Sequence, residues 1–527
     1  MTCSFPSSRD QRVSVRWYFC VLLTLLLGSA NLAMADISLP AVFSDQMVLQ
    51  REIPASVWGK AAPGEKITVS LHDQSQSAEA GPDGAWSVIL RPLAAGGPYT
   101  LTVRGAATTK TFKDVLVGEV WFGSGQSNMA WGLRAFREDA PLMAAAAAVP
   151  ANLRICSARG KGWSKPDAKS LQGFSAQLFY FGTLLQKELG VPVGLIVGAV
   201  SGSPSGQWLD ATMFSASPEC VAAAAKADAA YDPAKAAEEY AKSRAKWEKA
   251  AAKARAAGKK EPRAPSLRGH PQETRKRQLG RHYDVHVKPI VGFALRGILW
   301  DQGESGTALD GISQAAVMRA LISGWRKAWG MGDIPFLVVQ KPSGGGCAWD
   351  PQNPVTRCAE AFAKLPAQAP APTARIGDAL ELMAVPRVAL VSTSDLGGGI
   401  HPENKSGYAT RAAQVAMGFV YQKPVAWIGP VYDSHQVDGP NLRITFRHVG
   451  SGLSPKHSES VQGFALAGAD GKYHWAEARI EGDSVVIHTS AVATPQAAYY
   501  AWDSRRPWAN LFNRDGLPAQ PFRLSLH

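Results

Sequence analysis

Cysteine is scarce in this chain, with six residues among 527. No Cys-x-x-Cys pair and no histidine-rich spacing occurs, so the sequence predicts neither a zinc site nor any other metal or organic cofactor. Two of the six cysteines lie in the first 35 residues, and the others are Cys156, Cys220, Cys347 and Cys358. The loop between Cys347 and Cys358 is short enough for a disulfide, but four cysteines allow three pairings and the sequence does not choose between them.

Long apolar runs are also missing. The run from Trp17 to Leu27 has about 11 residues, against roughly 20 needed to cross a bilayer. It follows a basic leader and precedes a small-residue site ending at Ala35, which is typical of a secretory signal peptide. We therefore expect residues 1–35 to be removed and the mature protein to be exported, either periplasmic or secreted. Retention as an uncleaved anchor is the weaker alternative.

Acidic residues are outnumbered, with 43 Asp and Glu against 56 Lys and Arg and a net charge of +13. Between Val221 and Ile290, about 17 basic residues stand against about 8 acidic ones, so most of the excess belongs to one segment. That segment lacks interleaved aromatic residues and any nucleic-acid-binding motif. We interpret it as a solvated basic face and expect no nucleic acid as partner, nor a membrane once the leader is removed.

The hydrophobic pattern divides the mature chain into three parts. Residues 36–112 alternate apolar and polar positions between turn signals, which predicts a small antiparallel β domain. Residues 113–424 contain short apolar strands followed by helical stretches, typical of a parallel α/β sheet buried on both faces. Within them, residues 218–280 are rich in Ala, Lys, Arg and Glu, which predicts a helical insertion. Residues 425–527 return to a two-residue period and predict a second β domain; whether both β regions share one sandwich stays open.

The motif GSGQSNM, Gly123 to Met129, follows directly after a predicted strand. A serine at the carboxyl end of a strand, where a helix begins, is exposed near free backbone N–H groups that can stabilise an oxyanion. Ser127 is therefore a candidate nucleophile. Its Gly-x-Ser-x-Met spacing differs from the Gly-x-Ser-x-Gly elbow of α/β-hydrolases, and a serine in a glycine-rich turn also has a purely structural interpretation.

A second candidate lies far downstream. The predicted strand VALVSTSD ends at Asp395, and the loop LGGGIHP then brings His401 before Pro402. A general base must reach a serine from such a loop at a strand end, although a lone loop histidine is often inert. The pair of Ser127 and His401 carries more weight than either residue alone.

Three segments, GEVWFGSGQSNM, ILWDQGES and DLGGGIHPENK, resemble in this order the conserved blocks of the SGNH hydrolases, and specifically the sialate O-acetylesterase-like family. Further stretches near residues 39–66 and 191–209 and in the C-terminal β region resemble the same family, so the resemblance covers most of the mature chain. It implies an α/β fold with an SGNH-type parallel sheet flanked by helices, and β-sandwich or jelly-roll-like regions at both ends.

The resemblance also implies roles for individual residues. Ser127 would be the nucleophile and His401 the general base of acyl transfer through an acetyl-enzyme. The oxyanion would be bound by the backbone N–H groups of Ser127 and Gly202 and by the side chain of Gln302. Gln302 has an alternative interpretation as a satisfied buried amide. Glu304 is expected to orient its loop rather than to act as acid or base.

The sequence departs from the family at two places. The family usually has an acidic residue two positions before the histidine, where this chain has Gly399, so the third member of a triad is uncertain. Asp395 is the candidate, and a backbone carbonyl is the alternative. The segment SGSP, from Ser201 to Pro204, stands where the family tends to show WGGTP, which predicts a reshaped substrate pocket.

The function predicted from these residues is release of acetate from acetylated sugars. The partner would be an acetylated oligosaccharide or polysaccharide, either a plant hemicellulose of the xyloglucan or xylan type or a sialic acid substrate. Alternatives are an SGNH lipase or thioesterase, and a carbohydrate-binding protein with an inactive esterase domain. Five tryptophans are candidates for stacking on sugar rings: Trp131, Trp163, Trp208, Trp300 and Trp349.

Overall fold

The computed structural model describes residues 36–340, 362–372, 377–397, 399–502 and 508–526, together with Met1, Thr2, Gln352 and residues 355–357. The predicted signal peptide, apart from Met1 and Thr2, lies outside the described residues, as do Cys347, Cys358 and Trp349. Cys156 and Cys220 are buried free thiols. Within the described part of the chain, no helix has both the length and the apolarity needed to span a bilayer.

Short strands, most of them paired antiparallel, open the described chain, as the alternating pattern predicts. Val57, Ile67 and Val69 are buried while their neighbours along each strand are more exposed. The strands are β1 (Val48–Gln50), β2 (Ala55–Lys60), β3 (Lys66–Leu71), β4 (Gln74–Glu79), β5 (Ala85–Leu90) and β6 (Gly96–Arg104). β2 pairs with β5, and β3 pairs with both β4 and β6.

The long strand β7 (Thr109–Gly125) joins this region to a parallel sheet. Its first half pairs with β6, and its second half occupies the centre of the parallel sheet. The other strands are β8 (Leu153–Ser157), β9 (Trp163–Ser164), β10 (Val193–Ala199), β11 (Gly297–Asp301), β12 (Phe336–Val339) and β13 (Val388–Val391). The order is β13-β12-β11-β7-β10-β8-β9, with every pair parallel except β8 and β9. This confirms the predicted α/β class; the predicted boundary near residue 112 falls within β7, and the division into domains stays a prediction.

Helices cover both faces of the parallel sheet. They are α1 (Ser127–Ala130), α2 (Ala140–Ala147), α3 (Ala176–Leu189), α4 (Ala211–Ser215), α5 (Pro218–Ala229), α6 (Pro233–Ala256), α7 (Pro271–Gln278), α8 (Tyr283–His286), α9 (Gln314–Trp329), α10 (Gly377–Glu381) and α11 (Lys405–Val415). Trp121 of β7 packs in a core with α3 and α11, whereas the adjacent Phe122 packs in a core with α9. Because successive strand residues point to opposite faces, a strand in such a sheet is apolar at every position.

The C-terminal strands form separate antiparallel sheets. They are β14 (Val431–Asp438), β15 (Asn441–Arg447), β16 (Leu453–Pro455), β17 (Phe464–Ala467), β18 (Tyr473–Trp475), β19 (Glu477–Glu481), β20 (Ser484–His488), β21 (Ala497–Tyr500), β22 (Leu511–Asn513) and β23 (Phe522–Ser525). Two four-stranded sheets, β14-β15-β20-β19 and β18-β17-β21-β23, enclose a core that includes Ile444, Phe464 and Tyr500. Among the described strands, none of these pairs with β1 to β6.

Candidate functional site

The loops that follow β7, β10 and β11 meet at one edge of the parallel sheet. Gly125 ends β7 at a φ of 129°, and a Cβ atom there would collide with the carbonyl oxygen of Asp301 on the neighbouring β11. Glycine therefore permits the close approach of the two strands and the turn that follows. Two residues later, α1 begins at Ser127.

Ser127 and His401 are brought into direct contact. Nε2 of His401 lies 2.9 Å from Oγ of Ser127, although the two residues are 274 positions apart in the chain. Ser127 is 3% exposed, while His401 lies at the surface. A neutral imidazole that carries its proton on Nδ1 can accept the serine proton through Nε2. The geometry is that of a nucleophile beside its general base.

Trp131 lies one helical turn after Ser127 and packs against His401. Its ring stacks on the imidazole of His401, with 4.0 Å between the ring centroids and 29° between the planes. Its indole Nε1 donates a hydrogen bond of 2.9 Å to Oγ of Ser201. The histidine is thereby held between an aromatic face and the serine hydroxyl.

The structure does not bring Asp395 to His401. Both carboxylate oxygens of Asp395 accept hydrogen bonds from the guanidinium of Arg411, at 3.1 and 2.9 Å. Asp395 is fully buried, so its charge requires this bidentate partner. Among the described residues, His401 hydrogen-bonds only to Ser127. The predicted contact with Asp395 is therefore absent among the described residues.

The candidate oxyanion donors differ in their availability. Within the described structure, the backbone N–H groups of Ser127 and Gly202 donate no hydrogen bond, and Gly202 lies at the surface. The side chain of Gln302 is 5% exposed and already engaged. Its amide donates to the carbonyl oxygens of Gly306 at 3.0 Å and Ser203 at 3.4 Å, and its oxygen accepts from Gln314 at 2.8 Å. The two backbone donors are thus free to bind an oxyanion, while Gln302 would have to exchange a partner.

Asn128, which the sequence motifs did not single out, connects the loops that carry Ser127 and His401. Its amide nitrogen donates to the carbonyl oxygen of Ile400 at 3.0 Å and to Oε1 of Glu304 at 3.1 Å. Its amide oxygen accepts a hydrogen bond of 2.7 Å from the ammonium of Lys405. Asn128 therefore fixes the backbone beside His401 to the serine loop, and Glu304 supports this arrangement as expected of a loop-orienting residue.

The ammonium of Lys405 and the carboxyl of Asp301 are both buried behind the serine. Burial lowers the pKa of Lys405 below its ordinary value, and the nearby charges of Asp301 and Glu304 oppose this shift. Burial raises the pKa of Asp301, against the opposing charge of Lys405 and with reinforcement from Glu304. Sequence reasoning missed Lys405 although it closes the block GGGIHPENK, because a lysine is rarely buried and nothing local reveals it.

The candidate sugar-stacking tryptophans differ in how deeply they are buried. Trp163, Trp208 and Trp300 are core residues with 7%, 0% and 0% exposure, so they cannot present a face to a sugar. Trp131 is only half-buried and lies at the catalytic pair. Of the four candidates that the structure describes, only Trp131 is therefore placed where it can contact a substrate.

One concave region adjoins the site, and a second lies on the N-terminal strands. A cavity of about 450 Å³ lies beneath the loop that carries Gln302 and Glu304, with Met318 and Val338 on its wall. A larger groove of about 760 Å³ lies near Trp58 on the N-terminal strands, and neither Ser127 nor His401 lines it. No cluster of metal-ligating side chains occurs among the described residues.

The chain is similar in sequence to sialate O-acetylesterases from mammals. The chain is 26% identical to sialate O-acetylesterase of Rattus norvegicus over 369 residues, which cover 63% of this chain and 65% of the relative. It is 25% identical to sialate O-acetylesterase of Homo sapiens over 360 residues, covering 61% and 60%. The chain thus spans less than two thirds of the length of these curated relatives.

A solved structure extends the likeness over nearly the whole chain. A carbohydrate acetylesterase from Xanthomonas citri matches with a TM-score of 0.70 and 27% identity, covering 93% of this chain and 100% of that one. No family model matches the chain. The sequence relatives and this structural neighbour confirm the predicted resemblance to sialate O-acetylesterase-like carbohydrate esterases.

Proposed function

We propose that this protein is an exported carbohydrate O-acetylesterase that uses Ser127 as nucleophile and His401 as general base. The observation that carries the proposal is the 2.9 Å contact between His401 Nε2 and Ser127 Oγ. His401 takes the proton of Ser127 as its oxygen attacks the acetyl carbonyl. It then returns that proton to the sugar oxygen as the ester bond breaks. Water activated by His401 releases acetate from the acetyl-enzyme.

The developing oxyanion is bound by the backbone N–H groups of Ser127 and Gly202. Neither group donates to another described residue, so both can bind the oxyanion without first breaking such a hydrogen bond. Gln302 is the third proposed donor and must give up one of its backbone acceptors to serve. The chemistry needs no metal, because backbone dipoles supply the electrostatic stabilisation.

We propose an acetylated polysaccharide of the hemicellulose type, xyloglucan or xylan, as the substrate, with acetylated sialic acid as the second candidate. Ser201, Gly202 and His401 all lie at the surface, so the catalytic edge is open to an acetyl group carried on a long polymer. The departure from the family at Ser201 also favours a glycan other than sialic acid. The hydroxyl of Ser201 accepts a hydrogen bond from the indole of Trp131, beside the catalytic pair. Acetylated sialic acid is the second candidate because the sequence relatives are sialate O-acetylesterases.

Acetate release from a panel of acetylated xyloglucans, xylans and sialosides tests both the reaction and the substrate. Ser127→Ala should remove nearly all activity, with a loss on the order of a million-fold, while the fold is retained. Ser201→Ala is the matched control, since it removes a nearby exposed hydroxyl outside the proton-transfer pair. Activity of Ser127→Ala within tenfold of the unaltered protein would exclude Ser127 as nucleophile.

Export is part of the proposal because the apolar run from Trp17 to Leu27 and the site at Ala35 form a signal-peptide pattern. The mass of the protein recovered from the periplasm or medium tests it. A mature N-terminus at Asp36 is expected. Recovery only from the cytoplasm with the leader intact would contradict export.

A further inference from the structure

The solvent face of α6 carries a straight row of lysines. Lys242, Lys246, Lys249 and Lys253, here called the lysine row, follow a spacing of four, three and four residues and are all exposed. In an α-helix this spacing places side chains on one face, and the row extends along roughly 16 Å of the helix axis.

The opposite face of α6 is occupied by the chain itself. Ala251 is fully buried, and the indole of Trp247 donates a hydrogen bond of 2.8 Å to the carbonyl oxygen of Pro262. Arg255 pairs with Glu261 at 3.2 Å. Since the segment after the helix folds back along this face, the lysine row is left turned to solvent.

The charges of the row are largely uncompensated. Lys242 pairs with Glu238 at 2.5 Å, but among the described residues Lys246, Lys249 and Lys253 form no ion pair. Glu248 lies on the flank of the helix, where Arg244 holds it at 3.0 Å. A row in which three of four like charges form no ion pair within the described structure is repulsive by itself and attracts an extended polyanion.

The helical region that carries the row is anchored beside the catalytic loop. Arg268, which follows α6, pairs with Asp310 at 2.7 Å, and Ala227 of α5 packs against Gly311. Asp310 and Gly311 continue the loop that begins with Gln302. A polymer bound to α6 is therefore bound to a region that contacts the loop beginning at Gln302.

We propose that the lysine row is a docking surface for a linear polysaccharide that carries carboxylates on successive sugars, distinct from the ester-hydrolysing centre. The face lacks the aromatic side chains that would stack on nucleic acid bases, because Trp247 points to the opposite side under the guanidinium of Arg244. It also lacks an apolar strip, since only Ala accompanies Lys there, so it does not suit insertion into a membrane.

Affinity electrophoresis in gels that contain polygalacturonate tests this with the full chain. The unaltered protein should be retarded at low salt and released as NaCl rises above about 0.3 M, where charges are screened within a few ångströms. A variant with four changes should bind about tenfold or more weakly, since each exposed ion pair adds a factor of up to about five. The changes are Lys242→Gln, Lys246→Gln, Lys249→Gln and Lys253→Gln.

A control variant removes the same number of charges from exposed lysines elsewhere, through Lys66→Gln, Lys161→Gln, Lys187→Gln and Lys472→Gln. It should keep its retardation, and both variants should hydrolyse a small aryl acetate within twofold of the unaltered protein. Equal weakening in both variants would overturn the proposal, because net charge alone would then explain binding. Binding of vesicles rich in phosphatidylglycerol, but not of polygalacturonate, would also overturn it. Absence of esterase activity with retained docking would contradict only the proposed function.

Discussion

Trp131 stacks on His401 with 4.0 Å between ring centroids, and no carboxylate among the described residues hydrogen-bonds that histidine. In a Ser-His-Asp triad, the acid holds the imidazole and stabilises the imidazolium formed during attack. An indole face can supply part of both effects, because its quadrupole attracts a cation placed over it. The pair of Ser127 and His401 thus resembles a dyad supported by an aromatic ring.

Replacement of Trp131 tests that support. Trp131→Leu should lower kcat on a small aryl acetate by about five- to tenfold, with little change in KM, since a cation over an indole gains about 1 kcal/mol. Trp131→Phe, which keeps an aromatic face, should stay within about threefold. Ser201→Ala serves as control because it removes only the hydrogen bond to the indole. A change confined to KM would instead assign Trp131 to substrate binding.

Asp395 is expected to matter for stability rather than for turnover. Asp395→Asn breaks a buried ion pair with Arg411 and leaves a guanidinium without its charge partner, at a cost of about 3–5 kcal/mol. The folded fraction should keep kcat within about tenfold. Arg411→Met, which removes the other partner, should destabilise the protein comparably. Denaturant unfolding and steady-state kinetics measure the two effects; a loss near 10⁴-fold in kcat with unchanged stability would restore Asp395 as the third triad member.

The elements of the fold were predictable because their signals are local. Apolar runs such as the one ending at Gly125 require a strand buried on both faces, and alternation around Ile67 requires one exposed face. The contact between Ser127 and His401 was predictable for another reason, since each residue lies in a block that resembles a known family. Neither argument depends on side-chain contacts between distant parts of the chain.

The contacts behind the pair were not predictable from either source. Whether Asp395 meets His401 or Arg411 depends on the path of a glycine-rich loop, and glycine allows several paths of similar energy. The burial of Lys405 follows from the packing of α11 against the serine loop, which no local pattern encodes. Position in sequence therefore pointed to the two side chains that the structure brings into contact, but not to the groups that hold them.

Gln302 carries a prediction that separates two roles for its amide. If the amide donates to the oxyanion, as we propose, Gln302→Ala should lower kcat by about 10² to 10³. Gln314→Ala is the matched control, because it removes the donor to the Gln302 oxygen and the acceptor of the Ser205 hydroxyl while the Gln302 amide stays in place. It should leave kcat within about tenfold. Comparable losses in both variants would show that Gln302 acts through the structure of its loop.

The last prediction concerns the pH dependence contributed by Asp301. Burial raises the pKa of this carboxyl above its ordinary value of 3.8, so the folded protein holds a proton that the unfolded chain has released. The stability contributed by the neutral carboxyl is fully present below the ordinary pKa and is lost as pH rises through the raised one. Each pH unit in that window costs up to about 1.4 kcal/mol, or about 3–6 °C in Tm for a domain of 150–250 residues.

Asp301→Asn keeps the side chain neutral at every pH and should remove this dependence. The Tm of the variant minus that of the unaltered protein should therefore increase as pH rises from about 4 toward neutrality. Scanning fluorimetry in matched buffers measures this difference. Asp73→Asn, at an exposed position without a hydrogen-bonding partner in the described structure, should show a constant difference. A constant difference for Asp301→Asn as well would mean that Asp301 is already ionised in the folded protein. The charge of Lys405 would then outweigh the burial of the carboxylate behind Ser127.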